Sequence, residues 1–344
     1  STEIKLQASH LIMDNSTLHP LNSSSSGCPW MASTFFTSIL ALITTVTFIG
    51  NMLIVTVFFK TPSLRTSTNY YIVSMAVSDF IGPFFIWPLY VSEGMLTRTV
   101  FIDGSSALAA CKLGMYFRAV SQTVSVLSLV LISVDRFVAI VFPFKFAAMN
   151  RKIRVSLLVV SWLVPLLGVL PYLIFSEITT VENRRVCRFM VRDEAKIVIH
   201  ANGIALFYIL PLITIVGLYS LIMIKLKQST KNSNIQTRPQ DIVERSQQNR
   251  KILKILITIV IAFFLCWTPL STYFFLRIFG PDLFVQDACL LITGFTFYVF
   301  PSLSTAVNPL ILFSFSTNYK QALRSLSSQV SFLCKCRCKA SQPQ

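Results

Sequence analysis

The sequence predicts an all-α integral membrane protein, a bundle of seven helices that each cross the bilayer. Hydrophobic residues make up 53% of the 344 residues and charged residues only 13%, whereas a soluble domain has about 25% charged residues. Seven apolar stretches each reach the length of about 20 residues that a helix needs to cross the hydrocarbon core. Stretches of this length satisfy their backbone in lipid as helices. The predicted spans, numbered first to seventh, are residues 33–59, 69–93, 108–141, 154–175, 197–226, 251–278 and 288–314.

The net charge of +16 indicates the orientation of the bundle and not binding to nucleic acid. Most of the 30 Lys and Arg residues lie in segments 60–68, 142–154 and 225–254 and in the chain after residue 314. Basic segments mark the cytoplasmic side of a membrane protein, where they meet anionic lipid headgroups. We therefore expect a multi-pass plasma-membrane protein whose N-terminus is extracellular, with membrane lipids and no nucleic acid among its partners.

The chain divides into three parts by composition. Residues 1–32 are polar and carry two glycosylation sequons, at Asn15 and Asn22, which predict a glycosylated extracellular tail. Residues 33–314 contain the spans. Residues 315–344 form a basic cytoplasmic tail. We see no cleavable signal peptide, so the first span is expected to direct insertion.

Four of the eight cysteines lie on the predicted extracellular side, where disulfides persist. Cys111 opens the third span and Cys187 lies in the outer segment 176–196, while Cys28 and Cys289 flank the first and seventh spans. We favour a Cys111–Cys187 bridge and consider Cys28–Cys289 as a second one, because sequence alone does not fix connectivity.

Three cysteines near the C-terminus alternate with basic residues. Cys334, Cys336 and Cys338 are each followed by Lys or Arg. Acylation of these thiols together with the basic charge would hold the tail on the inner leaflet. Zinc binding is the alternative, but no His lies nearby.

Polar residues inside the spans predict a hydrated site in the middle of the bundle. An ionisable group within a span is costly and marks a functional site, and Asp79 lies in the middle of the second span. Together with Asn51, Ser125, Ser304 and Asn308 it would hold a small cation, or form a hydrogen-bond network without an ion. Neither arrangement is catalytic.

The third span carries a polar stripe on one face. Arg118, Gln122, Ser125 and Arg136 recur at helical spacing, and the two arginines are about 27 Å apart along the axis. Arg118 is therefore expected in an outer cavity. Arg136 is expected at the cytoplasmic mouth, held by the adjacent Asp135.

The sixth span combines aromatic residues with a proline. Phe263, Trp267 and Phe274 recur at helical spacing, and Pro269 removes a backbone hydrogen bond and kinks the helix. These aromatic residues would couple occupancy of the cavity to movement of the helix end. The alternative is ordinary packing of a lipid-facing helix.

These motifs, one in each span, resemble those of the rhodopsin-like G protein-coupled receptors. The matching elements are Gly50-Asn51, Met75-Ala76-Val77-Ser78-Asp79, Cys111 with Cys187, Asp135-Arg136-Phe137 leading into Val141-Phe142-Pro143, Trp162, Pro211 with Tyr219, Phe263 with Cys266-Trp267-Thr268-Pro269, and Asn308-Pro309.

The resemblance assigns roles to several of these residues. It implies an allosteric sodium pocket lined by Asp79, Ser125, Trp267, Ser304 and Asn308. It implies that Arg136 leaves Asp135 on activation and meets a heterotrimeric G protein. It also implies a short amphipathic helix over residues 316–326 on the inner leaflet, and arrestin as a further partner of the tail.

Three positions depart from the family pattern. Phe137 replaces the usual tyrosine of the third-span triplet, and Leu312 replaces a tyrosine expected after Pro309. Asn249 replaces an acid of the sixth span that in the family often holds the arginine of the third span. The resemblance therefore implies a less firmly held resting state and raised basal signalling.

Two family residues that this sequence lacks narrow the class of ligand. The lysine that carries retinal in opsins would fall at Ser302, and the aspartate that binds amines would fall at Arg118. Photopigment function and amine ligands are thus disfavoured.

Basic side chains that we place toward the outer mouth of the bundle favour an acidic ligand. They are Arg118, Arg184, Arg185, Arg188, Arg192, Lys196 and Arg277. The alternative is that Glu93 or another acid neutralises Arg118.

A peptide is the preferred ligand class. The outer segment 176–196 is long and mixed in charge, as in the peptide receptors of the family. The remaining candidate ligand-binding residues are Gln122, His200, Trp267, Tyr273, Phe274 and Tyr298. The alternatives are a lipid acid, a nucleotide, or signalling without a ligand.

Other classes of protein are disfavoured. A transporter would show internal repeats or paired broken helices. An enzyme would show a nucleophile–base pair or a metal cluster. We see none of these in the sequence.

Overall fold

The computed structural model describes residues 30–92, 104–148, 150–181, 184–191, 193–232, 240–279 and 295–340. Within these ranges seven helices are long and apolar enough to cross a membrane, which confirms the predicted fold class. The membrane-spanning portions are Thr34–Lys60, Ser67–Trp87, Gly104–Val141, Arg151–Phe175, Ile197–Gln228, Asn249–Leu276 and Phe295–Phe315.

Each of the first six helices begins before its predicted span, whereas the second ends one residue before its span does and the seventh is described only from Phe295. The first three are Trp30–Lys60, Ser67–Ser92 and Gly104–Val141. The fourth runs over Arg151–Gly168 and continues as Leu170–Phe175. The fifth comprises Asp193–Ile204, a π-helical turn Ala205–Ile209, and Leu210–Asn232. The sixth is Gln240–Phe279, and the seventh joins a π-helical turn Phe295–Val299 to Phe300–Phe315.

Local sequence signals explain several boundaries. Asn150 caps the fourth helix by accepting a hydrogen bond from the Lys152 backbone N–H (3.1 Å). The third helix ends just before Pro143, because a residue that precedes proline is disfavoured in the helical conformation. Two short elements were not predicted, a 3-10 turn Pro62–Leu64 and the helix Pro143–Ala148.

The outer segment folds as a hairpin above the third helix. Strands β1 (Ser176–Val181) and β2 (Arg184–Phe189) pair antiparallel, with Ile178 opposite Cys187. Cys187 is bonded to Cys111 with a Cα–Cα distance of 5.6 Å, so the preferred disulfide is confirmed. Cys28 and Cys289 lie outside the described residues.

Small residues let the helices approach closely. A Cβ added at Gly50 would lie 2.5 Å from Pro309 Cγ, and one at Gly82 would lie 2.5 Å from Ser121 Cβ. The first helix therefore packs directly on the proline of the seventh, and the second on the third. Trp162 joins the fourth helix to the second by donating from Nε1 to Ser74 Oγ (2.8 Å).

The C-terminal helix is longer than predicted, Thr317–Ala340 against residues 316–326. Its first turns pack on the bundle through Tyr319 and Ala322, which are buried, and burial raises the pKa of the Tyr319 phenol. The positions of Cys334, Cys336 and Cys338 lie on this helix, but their side chains are outside the described part. The glycosylation sites Asn15 and Asn22 are also outside it.

Candidate functional site

Asp79 is the centre of a polar network that joins three helices. Ser125 Oγ donates to one carboxylate oxygen of Asp79 (2.6 Å), and Asn308 Nδ2 donates to the other (2.8 Å). Ser78 Oγ lies 3.1 Å from Ser125 Oγ. All four residues are buried, with Asp79 only 1% exposed. The second, third and seventh helices are thus connected through one carboxylate that neutral donors satisfy.

Three further hydrogen bonds lie close to this network in the sequence of the first, sixth and seventh helices. Trp267 Nε1 of the sixth helix donates to Ser304 Oγ (3.2 Å), and Ser304 donates to the Pro301 carbonyl (2.7 Å). Asn51 Nδ2 of the first helix donates to the Thr305 carbonyl (3.1 Å). Ser125 and Asn308 therefore bond Asp79 directly, whereas Ser304 shares with Asp79 the lining of one cavity.

The donor set fits a small hard cation. The Asp79 carboxylate and the Ser125 and Ser304 hydroxyls supply oxygen atoms only. Among the described residues no group of three His, Cys, Asp or Glu side chains occurs, so a multi-carboxylate site of the kind that binds divalent ions is absent there.

A narrow cavity runs outward from this network. Its lining includes Asp79, Ser125 and Trp267 at the inner part, and Arg118, Gln122 and Ser302. The space open to the centres of water-sized molecules is about 40 Å³, which is enough for a few waters. The cavity thus connects the predicted cation site to the predicted ligand residue Arg118.

Arg118 crosses the bundle to a main-chain group. Its guanidinium donates to the carbonyl of Phe297 in the seventh helix (2.5 Å). Phe297 is the middle residue of the π-helical turn Phe295–Val299. The side chain of Arg118 is half-buried, and the structure gives it no ion pair within the described ranges. Glu93, the acid considered as its partner, is outside those ranges.

A chain of aromatic contacts surrounds the outer part of the bundle. Tyr172 stacks on Phe189 of β2 (ring centroids 4.8 Å), Phe189 contacts His200 (6.1 Å), and His200 contacts Phe274 (4.4 Å). The chain continues to Phe297, whose ring lies 5.8 Å from Phe274 and 4.8 Å from Tyr273. We call these six residues the aromatic chain. It links the hairpin to the fourth, fifth, sixth and seventh helices.

The predicted ligand residues fall into five groups. Arg118, Gln122 and Trp267 line the cavity, and His200, Tyr273 and Phe274 belong to the aromatic chain. Arg188 is exposed on β2. Tyr298 packs against the cluster around Phe36 and Leu40 of the first helix, and not along the described lining of the cavity. The side chains of Arg184, Arg185, Arg192, Lys196 and Arg277 are outside the described part.

The end of the bundle that we predict to be cytoplasmic holds the predicted arginine switch. Arg136 forms an ion pair with Asp135 (2.7 Å), and Thr68 of the second helix donates to the same carboxylate oxygen (2.6 Å). Asp135 is 5% exposed. Arg136 is therefore held by its neighbour, as the resemblance implies for a resting receptor. Asn249 is half-buried on the sixth helix.

Of the remaining predicted switch residues, Tyr219, Phe263 and Trp267 belong to the main apolar core, and Asn308 belongs to the polar network around Asp79. Tyr219, Phe263 and Trp267 are buried, as are Asn308 and Pro309, and Leu312 is 2% exposed. Phe263 and Trp267 are in contact, with ring centroids 6.1 Å apart. Pro269 follows them within the sixth helix. The contact between Phe263 and Trp267, which both line the cavity, thus directly precedes Pro269 in the sixth helix.

Sequence reasoning missed three residues of the site. Phe297 acts through its carbonyl, which no side-chain pattern reveals. Thr68 carries no signal, because a threonine at a helix start is common. Phe189 lies two residues after Cys187 on the same strand face, a position that a hairpin prediction with fixed register would have found.

Comparison with known proteins places these features in a family. The model of the 7 transmembrane receptor (rhodopsin family) matches residues 50–312. The RYamide receptor of Drosophila melanogaster is 30% identical over 232 residues, covering 65% of this chain and 48% of that receptor. The bombesin receptor subtype-3 of Ovis aries is 28% identical over 300 residues (83% and 72%). The neuromedin-U receptor 2 of Rattus norvegicus is 30% identical over 309 residues (84% and 74%).

The chain thus spans about half the length of the first of these relatives and about three quarters of the other two. The family model covers all the motifs from Gly50 to Leu312, and the family is one of receptors and not of enzymes. On this match, and on a seven-helix bundle that carries the family's disulfide, the chain belongs to the rhodopsin family of seven-transmembrane receptors.

Proposed function

We propose that this receptor binds an extracellular peptide and activates heterotrimeric G proteins at the plasma membrane, with its N-terminus outside. The observation that supports a peptide is the set of its relatives, which are named as receptors for RYamide, bombesin and neuromedin-U. The β1–β2 hairpin, held to the third helix through Cys111 and Cys187, offers backbone and exposed side chains to such a ligand.

The ligand is proposed to carry an acidic group that docks at Arg118. The guanidinium lines the cavity and bonds a neutral carbonyl, so its charge is not matched by an acid within the described residues. A buried or half-buried cation is stabilised by a paired anion, and Arg binds carboxylates with two parallel hydrogen bonds. An acidic side chain or a free C-terminal carboxylate would supply that anion.

The inner face supports coupling to a G protein. Arg136 lies at the mouth of the bundle with 15% of its side chain exposed, and the helix Pro143–Ala148 follows it directly. We propose arrestin and inner-leaflet lipids as further partners of the tail, with acylation at Cys334, Cys336 and Cys338. We also propose that sodium binds at Asp79, Ser125, Ser304 and Asn308 as an allosteric ion.

The test is a peptide screen with a G-protein activation reporter in cells that express the receptor. Each peptide is supplied in two forms, with a free C-terminal carboxylate and with a C-terminal amide. This pairing matters because the name of one relative specifies an amide. Hits are then measured on Arg118→Ala and Arg118→Asp.

The outcomes separate the parts of the proposal. We expect a peptide to activate the wild type and both variants to lose the response, the aspartate more completely because it repels an acid. A response that survives both substitutions keeps the peptide and removes Arg118 as the acid site. Activation by lipid acids or nucleotides, with no peptide response, would replace the peptide by a small acidic ligand.

A further inference from the structure

The fourth helix is broken inside its membrane-spanning portion. An inner piece, Arg151–Gly168, is followed by an outer piece, Leu170–Phe175, and Val169 stands between them outside the helical conformation (φ −102°, ψ 11°). Pro171 lies near the start of the outer piece and has no backbone N–H to donate to the inner piece. The last carbonyls of the inner piece therefore depend on donors from outside their own helix.

The third helix supplies such a donor at the break. Tyr116 Oη donates to the carbonyl of Leu166 (2.8 Å), which lies in the last turn of the inner piece. Tyr116 is only 7% exposed, and its side chain belongs to the same buried cluster as Val169. A main-chain polar group inside the bilayer is costly unless it is bonded within the protein. The Tyr116 hydroxyl thus stabilises the broken form of the fourth helix.

A second donor of the third helix meets the outer piece. Lys112 precedes Tyr116 by four residues, so the two side chains share one face of the helix. Lys112 Nζ donates to the carbonyl of Ile174 (2.9 Å), and a cation is favourable at the carbonyl end of a helix. The carbonyl of Phe175 accepts from the Met190 N–H (2.8 Å). The third helix therefore holds the fourth on both sides of the break.

The outer piece carries the β1–β2 hairpin. Strand β1 begins at Ser176, directly after Phe175, so no linker absorbs a change in the direction of the helix. Tyr172 of the outer piece stacks on Phe189 of β2, and Phe189 contacts His200 of the fifth helix. The direction of the outer piece therefore determines where the hairpin lies relative to the aromatic chain.

We propose that Tyr116 is a positioning residue for the ligand site, with Lys112 as a second support. The Cys111–Cys187 disulfide fixes one point of the hairpin, whereas the hydroxyl of Tyr116 fixes the direction of the helical piece from which the hairpin continues. Tyr116 is not among the residues that line the described cavity. It therefore acts through the hairpin and without touching the ligand.

Hydrogen exchange of the purified receptor without peptide is the first test. Tyr116→Phe removes the hydroxyl and keeps the ring in its cluster. We expect exchange over Leu170–Phe175 and Ser176–Val181 to become about two- to tenfold faster, the range that corresponds to loss of one neutral hydrogen bond. Exchange over residues 151–160, which lie far from the break, should stay at the wild-type rate.

Tyr208→Phe is the matched control. Tyr208 Oη lies 2.6 Å from Thr268 Oγ1 and joins the fifth helix to the sixth, so this variant also removes one interhelical hydroxyl contact and keeps the ring. It should leave exchange over Leu170–Phe175 and Ser176–Val181 unchanged. Acceleration there by both variants would overturn the proposal, because loss of any interhelical hydroxyl would then have the same effect.

The second test measures binding of an activating peptide, and this part rests on the proposed function. Tyr116→Phe should raise the peptide concentration for half-maximal signalling by about two- to tenfold, through faster dissociation, if the bound peptide contacts the hairpin with the same lost hydrogen-bond energy. The maximal response per surface receptor should not change. A residue that only stabilises the fold would instead lower the number of receptors at the surface and leave the half-maximal concentration as it is.

The two proposals fail separately. If no peptide activates the receptor, the proposed function fails, while exchange in Tyr116→Phe still decides whether the hydroxyl positions the hairpin. Unchanged exchange over the outer piece, or faster exchange with an unchanged half-maximal concentration, would overturn the positioning role. Should Tyr116→Phe not reach the cell surface, Lys112→Met keeps the length of the side chain and loses the bond to Ile174. Its exchange over Leu170–Phe175 must then exceed that of the wild type.

Discussion

At the scale of single residues, Asp79 shows how a carboxylate is accommodated inside a membrane protein. Each of its oxygens accepts a bond from a neutral donor, Ser125 or Asn308. Two helices are therefore held to the second one by hydrogen bonds to a charge, which are stronger than bonds between neutral groups. The same carboxylate faces the cavity and supplies the negative charge for the proposed sodium ion.

We expect Asp79→Ala to destabilise the receptor strongly. Removal of the carboxylate leaves Ser125 and Asn308 buried without their acceptor, which costs about 2–4 kcal/mol of unfolding free energy. The measurement is the thermal transition of the detergent-solubilised receptor in sodium chloride. Asp79→Asn keeps the shape and one acceptor and should lose less.

The same two variants test the sodium proposal. The wild type should be more stable in sodium chloride than in choline chloride at equal ionic strength, because an ion that binds the folded state stabilises it by mass action. Both variants should lose that difference. Equal stability of the wild type in the two salts would remove the sodium site.

At the scale of elements, packing of the first helix on the seventh depends on a missing side chain. Gly50 lies against the ring of Pro309, and a Cβ would stand 2.5 Å from Pro309 Cγ. The proline ring is rigid and cannot rotate away. The contact therefore requires glycine for space and not for its backbone conformation.

We predict that Gly50→Ala lowers the unfolding free energy by about 1–3 kcal/mol, the usual effect of overpacking. Gly217→Ala is the matched control, because Gly217 also lies within a helix but has no atom within 4 Å of the added Cβ. That variant should be stabilised by about 0.5–1 kcal/mol. Thermal transitions of the two purified variants give the comparison, and similar shifts in both would contradict the packing argument.

The relation between the third and sixth helices carries a prediction about signalling. Arg136 has its ion pair with the adjacent Asp135, and the sixth helix presents Asn249 where related receptors often have an acid. Asn249→Glu would add a partly exposed ion pair that favours the resting state by about 0.5–1 kcal/mol. We expect basal signal per surface receptor to fall about two- to fivefold, measured with the same G-protein reporter. Asn249→Gln, which adds length without charge, should not lower it.

At the scale of the whole molecule, charge and hydrophobicity determine how the bundle sits in the membrane. The described parts of the basic segments and the Thr317–Ala340 helix lie at one end, together with Asp135 and Arg136. The disulfide and the β1–β2 hairpin lie at the other end. By the positive-inside rule we expect the first end to face the cytoplasm.

This orientation predicts glycosylation of the N-terminal tail. Asn15→Gln and Asn22→Gln should each remove one glycan, seen as one mobility step on a gel, and the double variant should match the enzymatically deglycosylated wild type. An epitope placed at the N-terminus should bind antibody on intact cells. Staining only after permeabilisation would reverse the assigned topology.

The spans, the disulfide and the location of the switch residues were within reach of the sequence. The length of an apolar stretch is enough to predict a membrane-spanning helix. Cys111 and Cys187 both fall on the predicted extracellular side, where disulfides form. Helical spacing predicts Arg118 and Arg136 at opposite ends of one face, and the structure carries both residues on the single helix Gly104–Val141. The C-terminal helix was predicted too short, because its apolar face weakens after Leu326 while helix formation continues.

By itself, the sequence determined the seven-helix class, the preferred disulfide and the presence of a buried acid and an outer arginine. These follow from composition and from the period of single helices, which are local properties. Only the tertiary structure decided what those two charges contact: Asp79 meets two neutral donors, and Arg118 meets the carbonyl of Phe297. The physical reason is that a partner on another helix depends on helix rotation, on close approach at glycines and on a π-turn, and a main-chain acceptor leaves no trace in the side-chain pattern.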